Sequence, residues 1–422
     1  MNSLLEIIHI TLLSISKALF NFSFILVIWI LYILIKKYKN ANIYNFDNSK
    51  TIIKNLVESI LQGIIIGIIG SLIITIIGLP INLTYYIIFL LPLALLLSFI
   101  NVRYICFSYA ASVMGVLSLV FRGQNIFGIT LPNININISG LLALVGILHL
   151  MESILIYLVG ADEPIPIIAK KDDKIVLGHL MQKYWPLPIA MLVLSSGGLA
   201  NTEAIQMPEW WPLLKDIPHD INTYYYGLMP FVGALGYSSI TYSEEPEKRN
   251  RKTAIKLMIY SILLIVLAIF SVDSILLQII GTILMAGIHE GMILYDQYIE
   301  SKNEPIYTIP DRGVRIMAVI DGGPGDQMGM RVGDIISKIN GIDVINTRLY
   351  RAILKNSYTF LWIEVIHLDG NVDTYEFKAY PNGITDLNVR LIPENPRIVY
   401  RYQSIQRVGL FHIIRGRFRK RN

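Results

Sequence analysis

Over its first 300 residues the chain is built of long apolar runs separated by short polar breaks; after residue 304 it changes to short alternating stretches punctuated by Gly and Pro. An apolar run of ~20 residues matches the hydrocarbon thickness of a bilayer when helical. The pattern therefore predicts membrane spans at about 18–35, 61–79, 83–100, 104–121, 140–159, 185–198, 224–240, 253–272 and 275–288. That is nine crossings, or eight or fewer if the Tyr- and Gly-rich 224–240 segment re-enters instead of spanning. Residues 1–17 read as an interfacial lead-in, 18–300 as a polytopic membrane domain, 305–380 as a separate small domain and 381–422 as a basic tail.

In the small domain, period-2 stretches predict strands over 306–309, 314–320, 334–339, 360–368 and 372–378, the last two joined by an Asp369-Gly370 turn. A helix is expected over 347–355 with Asn346 as its N-cap. The string Gly313-Val314-Arg315-Ile316, then Gly322-Gly323-Pro324-Gly325, Gly329-Met330, Gly333-Asp334-Ile335-Ile336 and Ile339-Asn340-Gly341 resembles the circularly permuted PDZ domains of bacteria. The fold expected is thus a multispan α-helical membrane domain followed by a small α/β, β-barrel-like PDZ domain.

The PDZ resemblance implies a groove that accepts an extended peptide as an added strand. It places a backbone nest at Arg312, Gly313, Val314 and Arg315. The pairing edge would be Val314–Val319, including Ile316 and Ala318, and the opposite wall a helix presenting Thr347, Tyr350, Arg351 and Leu354. The loop departs from the Gly-Leu-Gly-Phe pattern, so an internal segment is as acceptable a ligand as a terminal carboxylate.

Composition supports the membrane reading. Hydrophobic residues make up 54% of the chain and charged ones 16%, against about 25% charged in soluble domains. The first apolar run ends in Lys36-Lys37 without a small-residue cleavage site and reads as a retained anchor. With nine crossings, Lys36, Lys37, Lys39, Arg103, the 170–183 loop, the 248–252 cluster and the basic C-terminus all fall on one side. By the positive-inside rule that side is the cytoplasm, with the PDZ domain in it and the N-terminus outside. From Arg390 onward nine Lys and Arg face one Glu, which suits anionic lipid.

Candidate chemistry is sparse. Cys106 is the single cysteine, so no intrachain disulfide is available and no Cys-based zinc site is expected. His289-Glu290 begins a H-E-x-x-H protease pattern, but position 293 is Ile. Leu368-Asp369-Gly370 sits in a turn and is no third ligand. His149 and Glu152 share a helix face at i, i+3, where they could hold a proton or cation but read more simply as a satisfied pair. Trp210-Trp211 reads as an interfacial anchor. No phosphate loop or nucleophile constellation survives this topology, so no catalytic residue, metal, cofactor or nucleic-acid partner is expected.

The multispan region, the stretch Met207-Pro208-Glu209-Trp210-Trp211-Pro212-Leu213-Leu214, Gly236-Tyr237 and the Glu245-Pro246-Glu247-Lys248 loop together resemble the MinJ family of division-site membrane proteins. That resemblance implies a scaffold in the bacterial cytoplasmic membrane of a Gram-positive cell, not an enzyme. Its partners would be a DivIVA-like coiled coil, a MinD-like ATPase and other division proteins. The alternative is a PDZ-gated transporter or a regulator of a membrane protease.

Overall fold

The computed structural model describes residues 2–40, 52–80, 89–121, 125–126, 129–130, 134, 136–171, 174–196, 207–214, 224–393 and 400–401. The membrane-facing part comprises α1 (Asn2–Leu19), α2 (Phe22–Asn40), α3 (Ile52–Ile77), α4 (Leu90–Ile100), α5 (Phe107–Val120), the short pair β1 (Asn125–Ile126) and β2 (Ile129–Thr130), and α6 (Ile138–Val159). Next come β3 (Ile165–Lys171), β4 (Lys174–Ser196), β5 (Tyr224–Thr241), α7 (Pro246–Phe270) and α8 (Ile275–Lys302). The C-terminal part holds β6 (Tyr307–Thr308), β7 (Val314–Val319), α9 (Pro324–Gln327), β8 (Ile335–Ile339), β9 (Ile342–Asp343), α10 (Thr347–Leu354), β10 (Phe360–Ile366), β11 (Val372–Lys378), β12 (Val389–Leu391) and β13 (Tyr400–Arg401).

Among the described residues, α3, α6, α7 and α8 are long and apolar enough to cross a bilayer. The pair α1–α2, bent by 61°, makes a fifth crossing if it acts as one broken span. This is fewer than the nine expected, of which the 83–100 span lies partly outside the described residues. Helix α6 is the hub, capped by Asn137, whose Oδ1 accepts from the Gly140 amide at 2.6 Å, and buried along most of its length, Leu142, Val145 and Ile147 included. The segment expected to span over 104–121 is only the shorter α5, entered through a 3-10 turn at Val102–Ile105.

Two expected spans, 185–198 and 224–240, are instead β4 and β5, one long antiparallel hairpin with Trp185 opposite Leu235 and Ile189 opposite Phe231. Pro186 and Pro188 explain the difference. Two prolines inside one helix would each remove a hydrogen bond and clash with the preceding turn. On a strand they fall on alternate residues, and the backbone groups of that set point away from β5, toward α3. A strand edge inside an apolar bundle has to be satisfied by protein, and the N–H side of this one is. Pro186 and Pro188 have no N–H to leave unpaired, and the Ala190 N–H donates to Ser71 Oγ at 2.8 Å. The approach is close enough that a Cβ on Gly63 or Gly67 would stand 1.9 or 2.2 Å from the carbonyl oxygens of Pro186 and Pro188. Gly at both positions is therefore a packing requirement. Trp185, fully buried, donates its Nε1–H to Gln62 Oε1 at 2.9 Å.

One end of the bundle collects the charge. Asn55 of α3 donates to Glu163 beyond α6 at 3.1 Å. Arg249 of α7 lies 3.6 Å from Asp296 and 3.8 Å from Glu300 of α8. Lys171 donates to the carbonyls of Glu300 and Asn303 at the α8 C-terminus, where a cation complements the helix dipole. Arg103, expected in a cytoplasmic loop, does not join this end; it pairs with Glu290 at 2.7 Å near the middle of α8.

The C-terminal domain stands at the charged end. Its sheet runs β11-β10-β8-β7-β12 around a core of Ile316, Ile336, Ile339, Leu361, Ile363 and Val365. Two short strands tie it to the hairpin base, β6 pairing with β4 and β13 with β3. Between them Ile168, Leu177, Tyr307, Met317 and Ile392 form a separate apolar cluster. Tyr307 packs edge-on against His179, ring centroids 5.5 Å apart, and burial pushes the His179 pKa down to about 4, so the imidazole is neutral. Because β12 completes the sheet, the domain extends past residue 380 to Ile392, and the basic tail expected from 381 begins later. Its basic stretch beyond residue 401 lies outside the described residues.

Candidate functional site

A cleft of about 610 Å³ lies between α10 and β12 of the C-terminal domain. Asn346 caps α10, its Oδ1 accepting from the Leu349 amide at 2.9 Å, and the helix turns Tyr350, Ile353 and Leu354 inward. β12 is held against β7 by Val389 opposite Val319, Arg390 opposite Ala318 and Leu391 opposite Ile316. Hydrogen bonds from the Ile320 amide to the Asn388 carbonyl (2.9 Å) and from the Ile392 amide to the Arg315 carbonyl (3.0 Å) extend that pairing. Since β12 ends the strand order among the described residues, its outer edge faces the cleft.

The helix wall carries Thr347, Tyr350, Arg351 and Leu354, and the strand wall Val389, Arg390 and Leu391. Arg390 sits 3.9 Å from Asp386, leaving the exposed Arg351 to set a cationic balance. The buried hydroxyl of Tyr350 has no hydrogen-bond partner among the described residues, and burial pushes its phenol pKa up. A buried polar group left unpaired costs about 1–3 kcal/mol, so this hydroxyl is suited to an incoming backbone group.

A PDZ domain family model matches residues 315–359. Among curated proteins, the cell division topological determinant MinJ of Bacillus subtilis (strain 168) is 21% identical over 254 residues, 59% of this chain and 60% of that protein. The chain is thus similar to MinJ and carries a PDZ domain. The chain spans about 60% of the length of that MinJ. Among solved structures, the PDZ domain of an SdrC-like protein from Listeria monocytogenes is similar at 18% identity and a TM-score of 0.17, covering 20% of this chain and 93% of that one.

In this MinJ-like chain the groove residues expected from sequence divide into two sets. Thr347, Tyr350, Arg351 and Leu354 line the cleft. Arg312, Gly313, Val314, Arg315, Ile316 and Ala318 do not, because β7 is an interior strand paired with β8 on one side and β12 on the other. Gly313 takes a left-handed φ of +88° and packs on Ile335 and Ile336, while Val314 and Ile316 are core. The Arg315 guanidinium is spent on the carbonyls of Thr308 (2.8 Å) and Gly333 (2.6 Å). Arg312 is exposed on the preceding loop. Among the described residues the free sheet edge beside the cleft is that of β12, for which Val389-Arg390-Leu391-Ile392 was the available sequence signal.

Inside the membrane domain, side chains treated separately in the sequence meet. His149 and Glu152 are 4.0 Å apart (Nε2 to Oε2), and Cys106 Sγ lies 3.1 Å from His149 Nε2 and 3.6 Å from His289 Nε2. Glu290 accepts from the Tyr109 hydroxyl at 2.6 Å. Cys106, His149 and His289, far apart in the chain, each place one potential ligand atom within 4.8 Å of the others.

Proposed function

We propose that the chain is a membrane-embedded adaptor of bacterial division that recruits partner proteins into the α10–β12 cleft and turns over no substrate. The observation that carries this reading is the outer edge of β12, unpaired among the described residues, beside a helix wall whose Tyr350 hydroxyl has no hydrogen-bond partner among them. An extended segment would add to that edge by main-chain hydrogen bonds, with Arg351 favouring an acidic side chain or a terminal carboxylate. The partners are a DivIVA-like coiled coil, a MinD-like ATPase and other division proteins; the similarity to MinJ, named a cell division topological determinant, supports them. The PDZ domain lies in the cytoplasm of a multi-pass protein, because Lys171, Arg249 and Lys252 gather at the bundle end that carries it. The basic sequence beyond residue 401, outside the described residues, carries the charge to bind anionic lipid. Confinement to one membrane raises the effective concentration of membrane-bound partners, so a modest cleft affinity suffices.

The test is a crosslinked pull-down from native membranes with the full chain, wild type against Arg351→Glu at equal membrane levels. Recovery of a MinD-like ATPase or DivIVA-like protein should fall about tenfold, corresponding to about 1.4 kcal/mol. An unchanged set of recovered proteins overturns the cleft as the recruiting surface. A second reading, that the PDZ domain gates the membrane domain, is favoured by one residue: Met317 lines the cleft and also belongs to the cluster packed on β3 and β4. It predicts that filling the cleft alters protection of β3 and β4 in hydrogen exchange.

A further inference from the structure

The geometry points to a transition-metal site, zinc in the first instance, formed by Cys106, His149 and His289 with Glu152 as the fourth ligand, joining α5, α6 and α8 inside the membrane domain. Cys106 Sγ, His149 Nε2 and His289 Nε2 all lie within 4.8 Å of one another. For tetrahedral zinc, with Zn–S about 2.3 Å and Zn–N about 2.0–2.1 Å, the ligand atoms stand roughly 3.3–3.6 Å apart. The sulfur-to-nitrogen separations here are 3.1 and 3.6 Å. Glu152 Oε2 lies 4.0 Å from His149 Nε2, outside the cluster of three, and is the carboxylate that a side-chain rearrangement on metal binding would bring in as the fourth ligand.

Proton placement supports the same conclusion. His149 Nδ1–H donates to the Val145 carbonyl at 2.8 Å. Tyr109 donates to Glu290, so its oxygen is left to accept from His289 Nδ1–H at 3.3 Å. Both rings thus carry their proton on Nδ1 and turn an Nε2 lone pair toward the sulfur. This is the outer-shell arrangement that metal-bound histidines show. Ser108 lies 3.2 Å from His149 Nε2 and 3.1 Å from Tyr260. Because the Tyr260 hydroxyl donates to the Met285 carbonyl, it is the acceptor for the Ser108 proton. The single Cys106 S–H would then face two lone pairs, a set short of positive charge.

Charge balance fits a divalent ion. Arg103 is matched by Glu290 at 2.7 Å, leaving Cys106 and Glu152 as the groups that face the centre from α5 and α6. A thiolate, a carboxylate and a 2+ ion sum to zero, which a low-dielectric interior requires. Cys106 is also the N-cap residue of α5, where the helix dipole favours a thiolate. His149 and His289 sit near the middle of α6 and α8. With four protein ligands the site is closed and structural, fixing the α4–α5 break against two spans.

The test uses the tag-free full chain in lipid nanodiscs. Wild type should carry about one zinc per chain, and the chelator-stripped protein titrated with Co²⁺ should show a thiolate-to-cobalt charge-transfer band with tetrahedral visible bands. Cys106→Ser should abolish the charge-transfer band, and His289→Gln should weaken binding about tenfold or more. His367→Gln, a histidine of the PDZ domain, should change neither. Zinc should also slow alkylation of Cys106 about tenfold or more. Folded wild type that shows no charge-transfer band at saturating Co²⁺, or a Cys106 alkylated equally fast with and without zinc, overturns the proposal in favour of a metal-free Cys–His pair.

Discussion

Ser71→Ala tests how the β4–β5 hairpin is kept inside the helical bundle. Ser71 is fully buried; its hydroxyl donates to the Gly67 carbonyl at 2.6 Å and accepts from the Ala190 amide at 2.8 Å. The Gly67 carbonyl keeps its role in the helix, so losing the hydroxyl costs it little. The Ala190 N–H is different. It lies on the strand edge facing α3, and no water reaches it, so the variant leaves a buried donor unpaired at about 1–3 kcal/mol. At 1.4 kcal/mol per tenfold, local opening becomes about 5- to 150-fold more frequent. Hydrogen exchange in nanodiscs should show that loss of protection at the Ala190 amide, with the PDZ strands unchanged. Ser14→Ala is the control: Ser14 is buried, its hydroxyl has no partner among the described residues, and its removal should be near neutral. Equal protection at Ala190 in wild type and Ser71→Ala would refute the edge-satisfaction argument.

The Tyr307 ring, buried against His179 and against Gly333, holds the PDZ domain to the hairpin base. Tyr307→Ala should cost about 3–5 kcal/mol of local stability, read as a separate low-temperature transition and new protease sensitivity at residues 303–306; a single unshifted transition would contradict it. His367 Nδ1 lies 2.8 Å from Asp334, and its Nε2 lies 3.2 Å from Asp373 and 3.3 Å from the Tyr375 hydroxyl. The hydrogen bond to Asp334 raises its pKa above the ordinary histidine value. A raised folded-state pKa means that this stabilisation is complete below about pH 6.5 and is lost as pH climbs through the folded value. Thermal unfolding of the full chain should therefore show the PDZ transition falling as pH rises above about 6.5, and His367→Gln should flatten that dependence.

The sequence alone determined what depends on local composition and spacing. Apolar runs long enough to span a bilayer marked a membrane protein. The Gly-Gly-Pro-Gly turn, Gly333-Asp334 and the Asn346 cap marked a PDZ domain and the helix wall of its groove. Local signals failed where a residue's role is set by what lies across from it. An apolar run reads alike as a buried strand or a buried helix, and the decisive hints in 185–240, Pro186 and Pro188, gain meaning only beside Gly63 and Gly67 of α3. Tertiary structure likewise chose the groove edge. Val314–Val319 carries a strand pattern, but β12 arrives from the far end of the domain and takes its free side. Cys106, His149 and His289 each look isolated, because Cys106 lies 43 and 183 positions from its two partners. Helix packing, which no spacing rule encodes, brings them to one point.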